Sequence, residues 1–91
     1  MPKFLAVHTM PMPVTAEEVT PLVKELLKSE TRDAYWVSAW GQQNTEGKFL
    51  KFFCEWNAKS ADAIRKLFSF VPQFPLDGVY PMARIESEYF R

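Results

Sequence analysis

From Gly47 to Phe68 the chain reads GKFLKFFCEWNAKSADAIRKLF, apolar residues first crowded along a strand and then spaced as on a helix. The predicted strand, about Lys48 to Asn57, is apolar on both of its alternating sets. Leu50, Phe52, Cys54 and Trp56 form one; Phe49, Lys51, Phe53 and Glu55 form the other. A strand apolar on two sides needs two covering layers. The chain's own helices supply one, and a second copy of the chain is the simplest source of the other. Downstream, Ser60 is a suitable N-cap and Asp62 sits in the favourable first turn. Ile64, Leu67, Phe68 and Val71 then make one apolar stripe, and Pro72 and Pro75 close the helix.

The same patterning resolves the other elements. Residues 3–10, KFLAVHTM, have strand composition, and Pro11-Met12-Pro13 is expected to end that strand. Thr15 and Glu18 fit a capping box ahead of the stripe Val19, Leu22, Val23, Leu26 and Leu27. Pro21 opens a second possibility, a helix capped by Thr20 with the proline at its first position. Residues 33–43 read as a strand, and Asn44-Thr45-Glu46-Gly47 as a hairpin connection. Residues 79–86 return as a last strand, whose Pro81 places it at a sheet edge. The order βαββαβ predicts an α+β, ferredoxin-like domain over residues 1–91. Its four-stranded antiparallel sheet carries both helices on one face, strand four lies beside strand one, and strand three lies between one and two.

With the helices on one face, the open face becomes the candidate site. Taking Leu5, Val7 and the set Leu50, Phe52, Cys54 and Trp56 as inward, alternation assigns Phe4, Ala6, His8 and Met10 to the open face. Trp36, Ser38 and Trp40 join them from strand two, and Tyr80, Met82, Arg84 and Glu86 from strand four. A one-residue slip would exchange the faces of strand two. Stacking two such faces gives a dimeric α+β barrel, either packed solid or holding a small molecule or divalent metal ion. The cavity residues on this reading are His8, Trp36, Trp40, Lys51, Tyr80 and Arg84. His8 is also the metal candidate, being the only imidazole in the chain. Cys54 is a poor second ligand, since strand offset puts it about 10 Å or more from His8 and alternation sends it to the other face.

Composition narrows the partners. Eleven basic and eleven acidic side chains balance to zero, so no net field draws nucleic acid or an anionic membrane. A single cysteine permits no intrachain disulfide and fits a cytoplasmic protein, and no apolar run approaches a membrane span. Phosphate-binding glycine loops, nucleophile elbows and paired-cysteine zinc spacings are missing from the sequence.

The series Gly47-Lys48, Cys54, Ala58, Ser60-Ala61, Ala63-Ile64-Arg65, Pro75, Asp77, Val79-Tyr80 resembles a nickel-binding family of small ferredoxin-like proteins, long catalogued as a domain of unknown function. Thr15-Ala16-Glu17-Glu18-Val19 is similar to that family's first helix start. The resemblance implies a ferredoxin-like dimer, with nickel held by histidines in some members. Here only His8 could take such a role; Phe74 stands where some relatives are expected to carry histidine, and Gln73 where glycine is expected. Two functions follow as expectations. One is a homodimeric binding protein enclosing a small ligand or metal ion, nickel included, between stacked sheets. The alternative is a small dimeric-barrel enzyme similar to monooxygenases acting on a confined aromatic substrate, with His8 as acid or base and Lys51 or Arg84 stabilising negative charge. The first reading, binding without catalysis, is the preferred one, and no residue pattern names a cofactor.

Overall fold

The computed structural model describes all of residues 1–91. It consists of β1 (Lys3–Val14), α1 (Ala16–Lys28), β2 (Ala34–Gln43), β3 (Phe49–Ala58), α2 (Ala61–Phe68) and β4 (Gly78–Met82), followed by a 3₁₀ turn at Ser87–Phe90. The strands form one antiparallel sheet in the order β2-β3-β1-β4. This is the predicted ferredoxin-like βαββαβ arrangement, with Pro81 on an edge strand where its missing N–H costs no internal ladder bond.

Local chemistry sets the boundaries. Thr15 Oγ1 accepts from the Glu18 N–H at 3.1 Å and Glu18 Oε1 accepts from the Thr15 N–H at 2.9 Å, a complete capping box. The helix therefore starts at Ala16, and Pro21 lies inside it, where the only ladder bond it removes is the one its own N–H would have made to Glu17. At α2 the Ser60 hydroxyl accepts from the Ala63 N–H at 3.2 Å. In the β2–β3 connection Asn44 Oδ1 accepts from the N–H groups of Glu46 and Lys48, and Gly47 takes a φ of +79°, which glycine adopts without strain. β1 runs past its predicted end at Pro11. Its pairing with β3 lapses between Thr9 and Val14, so Pro11 and Pro13 fall in a stretch that asks for no ladder donor.

The core lies between the helices and one sheet face. Leu26 of α1 and Ile64, Leu67 and Phe68 of α2 pack with Phe4, Ala6 and Met10 of β1, Cys54, Trp56 and Ala58 of β3, and Val79 of β4. The phase of β1 is thus the reverse of the expected one: Phe4, Ala6, His8 and Met10 face the helices, opposite Trp56, Cys54 and Phe52, and Leu5 and Val7 face out. Both sets are apolar, so alternation alone does not choose between them; cross-strand register does.

Two irregularities complicate the other strands. Trp36 pairs with Trp56 and Ser38 with the next residue, Glu55, which leaves Val37 as an extra residue in β2. Between Gln42–Lys51 and Gln43–Phe49, Leu50 is the extra residue in β3. Trp36 consequently packs against the core while Ser38 and Trp40 stand on the open face. Phe49, expected outside, turns to the helix side and lies against Phe52 at a ring-centroid separation of 5.1 Å.

Candidate functional site

Three cross-strand rows define the open face. Ser38, Glu55, Leu5 and Tyr80 form one, Trp40, Phe53, Val7 and Gly78 the next, and Gln42, Lys51 and Thr9 the third. The exposed Tyr80 side chain lies over Gly78, where a Cβ would displace its hydroxyl end. Between Trp40 and the segment after β4 is a depression of about 280 Å³, walled by Leu5, Trp40, Phe53, Met82 and Ile85 with Lys3, Glu55 and Arg84 among them. Trp40 is 83% exposed, the most of any large apolar side chain in the protein.

Charge on this face is internally compensated. Glu55 accepts from Lys3 Nζ at 2.5 Å and from Arg84 Nη2 at 2.7 Å, while Arg84 Nη1 reaches Glu86 at 3.4 Å. The hydrogen bond from Lys3, aided by Arg84, holds the Glu55 carboxyl below its ordinary range. Lys51 Nζ lies 5.7 Å from the centroid of the Phe53 ring. Of the six residues expected to line a cavity, Trp40, Lys51, Tyr80 and Arg84 lie on the open side, and of these Trp40 and Arg84 wall the depression. Lys3 and Ile85 are additions. Lys3 had a signal in the sequence, since a carboxylate embedded in an aromatic strand requires a cation beside it.

His8 and Trp36 do not belong to this face, which corrects their expected placement. His8 is fully buried on the helix side, its ring 4.8 Å from that of Phe68 and 4.6 Å from that of Phe74. Its Nδ1 lies 2.6 Å from the Pro75 carbonyl oxygen; a carbonyl only accepts, so Nδ1 carries the proton and Nε2 presents a lone pair with no partner. Burial lowers the His8 pKa from its ordinary value, against smaller opposing effects of Pro75 and Asp77. Asp77 itself is tied to β1, its N–H donating to the Val7 carbonyl at 2.7 Å and its carboxylate accepting from the Thr9 hydroxyl. The acid–base role considered for His8 on the open face thus has no place there.

Cys54 keeps its expected place in the core, and the correction at His8 alters only the distance between the two. It lies on the same face as His8, opposite Ala6 and diagonal to the His8–Phe52 pair, about 7–8 Å away by sheet geometry. Burial nevertheless pushes its thiol up to about 12, so it is no thiolate near neutrality. Nickel asks for several imidazole, thiolate or carboxylate donors around one point. One enclosed imidazole and one protonated thiol are the only imidazole and thiol in the chain, and no three His, Cys, Asp or Glu side chains converge. These residues do not fit a nickel centre, and because His8 faces the helices, stacking two open faces would not bring two copies of it together.

Residues 4–82 match the family described as SCO4226-like, nickel responsive protein SCO4226-like. The chain belongs to this family. The family's fold is seen in the crystal structure of SCO4226 from Streptomyces coelicolor A3(2), which matches with a TM-score of 0.74 over 92% of this chain and 99% of that one at 14% identity. At that identity the likeness carries the fold. No curated protein matches the chain. No helix is long and apolar enough to cross a membrane.

Proposed function

We propose that this member of the nickel responsive family acts as a homodimeric binding protein, its open sheet faces stacked around a small organic ligand seated in the depression between Trp40 and Ile85. The observation that carries this reading is the open face itself: Trp40, Tyr80, Met82 and Ile85 are solvent-exposed around the depression, an apolar surface of the kind that marks an interaction site. The charges support it. Lys3, Glu55, Arg84 and Glu86 form a net-neutral network before any partner arrives, so covering them leaves no unpaired ion. The lining favours an organic ligand with an aromatic or aliphatic body over a bare cation, because every carboxylate near the depression is already engaged by a basic side chain.

Native mass spectrometry at micromolar protein concentration tests the proposal. The expected spectrum shows a dimer, with an organic adduct released on denaturation and no mass gain when nickel is offered. A monomer under these conditions would overturn the dimer, and a stoichiometric nickel adduct would overturn the preference for an organic ligand.

A further inference from the structure

The depression on the open face holds more hydrogen-bond donors than its own acceptors consume. Lys3 and Arg84 bring two positive charges to its wall, against which the wall sets one carboxylate, Glu55. Lys3 Nζ takes one Glu55 oxygen at 2.5 Å and Arg84 Nη2 the other at 2.7 Å, so an ammonium and a guanidinium flank a single acceptor. Most of their remaining side-chain N–H groups meet no acceptor in the protein. The second negative charge comes from Glu86, which lies outside the wall. Its oxygen stands 3.4 Å from Arg84 Nη1, longer than the about 2.7–2.9 Å of a well-made charge-assisted bond, and its side chain is 45% exposed. Of the three ionic contacts this one is the easiest to exchange.

That surplus specifies the polar end of the occupant. A ligand carboxylate replacing Glu86 on Arg84 leaves the charge sum of the depression unchanged, and Glu86 turns to water. A cation would find no free carboxylate, and a wholly apolar body would cover charged donors without giving them an acceptor. All the groups involved are open to solvent, with Lys3 35% and Arg84 58% exposed at their side chains, so an incoming ligand reaches them without opening the fold. Apolar surface for the rest of the molecule lies beside them, Trp40 and Phe53 on the strands and Met82 and Ile85 at and after the end of β4. Resting on the reading of this depression as an organic-ligand site, we infer that its ligand is a monocarboxylate with an aromatic or aliphatic body. The carboxylate is held by Arg84 beside Lys3 in exchange for Glu86, and the body lies against Trp40 and Ile85.

2-Naphthylacetate and its uncharged methyl ester are suitable probes, their affinities measured by isothermal titration calorimetry near neutral pH. The acid is expected to bind saturably and more tightly than the ester. It should weaken between about 0.01 M and 1 M salt, where the screening length falls from about 30 Å to about 3 Å, while the ester does not. Arg84→Gln weakens the acid by about three- to tenfold, less than a buried charge-assisted bond would give because the guanidinium is more than half exposed. Glu86→Gln, which removes the competing carboxylate, tightens the acid by about two- to fivefold and leaves the ester unchanged. Trp40→Ala weakens both probes, and Lys66→Gln, which removes an exposed cation from α2, changes neither. Equal affinity for acid and ester, an acid indifferent to Glu86→Gln, or one weakened as much by Lys66→Gln as by Arg84→Gln would overturn the carboxylate and leave the depression an organic-ligand site. So would a native adduct whose accurate mass excludes a carboxyl group. If neither probe binds saturably and the native spectrum shows no organic adduct, the inference falls together with the reading it rests on.

Discussion

Replacing Trp40 by alanine should dissociate the proposed dimer while leaving the protomer folded. Trp40 is 83% exposed on the open face. An aromatic side chain of its size offers about 150–250 Å² for burial, so stacking removes about 160 Å² from water at each copy. At about 25 cal/mol per Å², and allowing for what alanine retains, truncation forfeits about 3 kcal/mol per protomer. Two-fold symmetry doubles the loss to about 6 kcal/mol. The free indole is also relieved of ordering worth about 0.5–1.5 kcal/mol per copy, which brings the net to about 4 kcal/mol, or roughly a thousandfold in Kd. Sedimentation equilibrium of wild type and Trp40→Ala across a dilution series measures this directly, with urea unfolding as the control for protomer stability. A dimer constant changed less than about tenfold, a 1.4 kcal/mol effect, would refute Trp40 as the interface anchor. A variant that lost its fold would show that Trp40 supports the protomer itself.

Three further outcomes are expected. His8 has its pKa lowered in the fold, so the unfolded chain binds the proton more readily below pH 6.5, and urea midpoints should be level above that pH and fall beneath it. His8→Leu should erase that slope between pH 6.5 and 5 while costing about 1–3 kcal/mol at pH 7 for the unpaired Pro75 carbonyl; an unchanged slope would assign the titration elsewhere. The Cys54 thiol, buried and raised to about 12, should react with Ellman's reagent at pH 8 only as fast as the fold opens, so labelling at the rate of a free thiol would contradict its placement. Thr15→Ala removes half of the capping box and should lower stability by about 1 kcal/mol, or about 4–8 °C in Tm by calorimetry for a domain of this size; no shift would mean that the helix start is held by packing alone.

Much of the fold was legible because its signals are local or topological. The stripe Ile64, Leu67, Phe68 and Val71 is buried as its spacing requires, and Pro81 alone placed β4 at an edge. The helix-facing set of β3 was also readable from Phe52 to Trp56. What failed was phase. In β1 both alternating sets are apolar, and the choice is made by register against Trp56 and Cys54, which sequence spacing does not encode. In β2 and β3 an alternation count carried across Val37 or Leu50 gains one residue, and that is enough to put Trp36 and Phe49 on the wrong side. His8 failed for a separate reason. A lone imidazole is chemically conspicuous, but a carbonyl at Pro75, 67 residues away, satisfies one nitrogen and lets the ring pack as an aromatic between Phe68 and Phe74.

The unpaired Val37 gives β2 the equivalent of one link of slack. Since Trp36 faces the helices and Ser38 the open side, excising Val37 would leave strict alternation and every later side chain where it is. Excising Ser38 or Ala39 would draw on the same slack, Val37 moving into the paired ladder while Trp36 and Trp40 keep their faces. A second loss in this stretch, with the slack gone, would force Trp36 or Trp40 to the wrong side of the sheet. The partition between a tryptophan that looks under the helix and another that looks at a partner depends on that residue of slack.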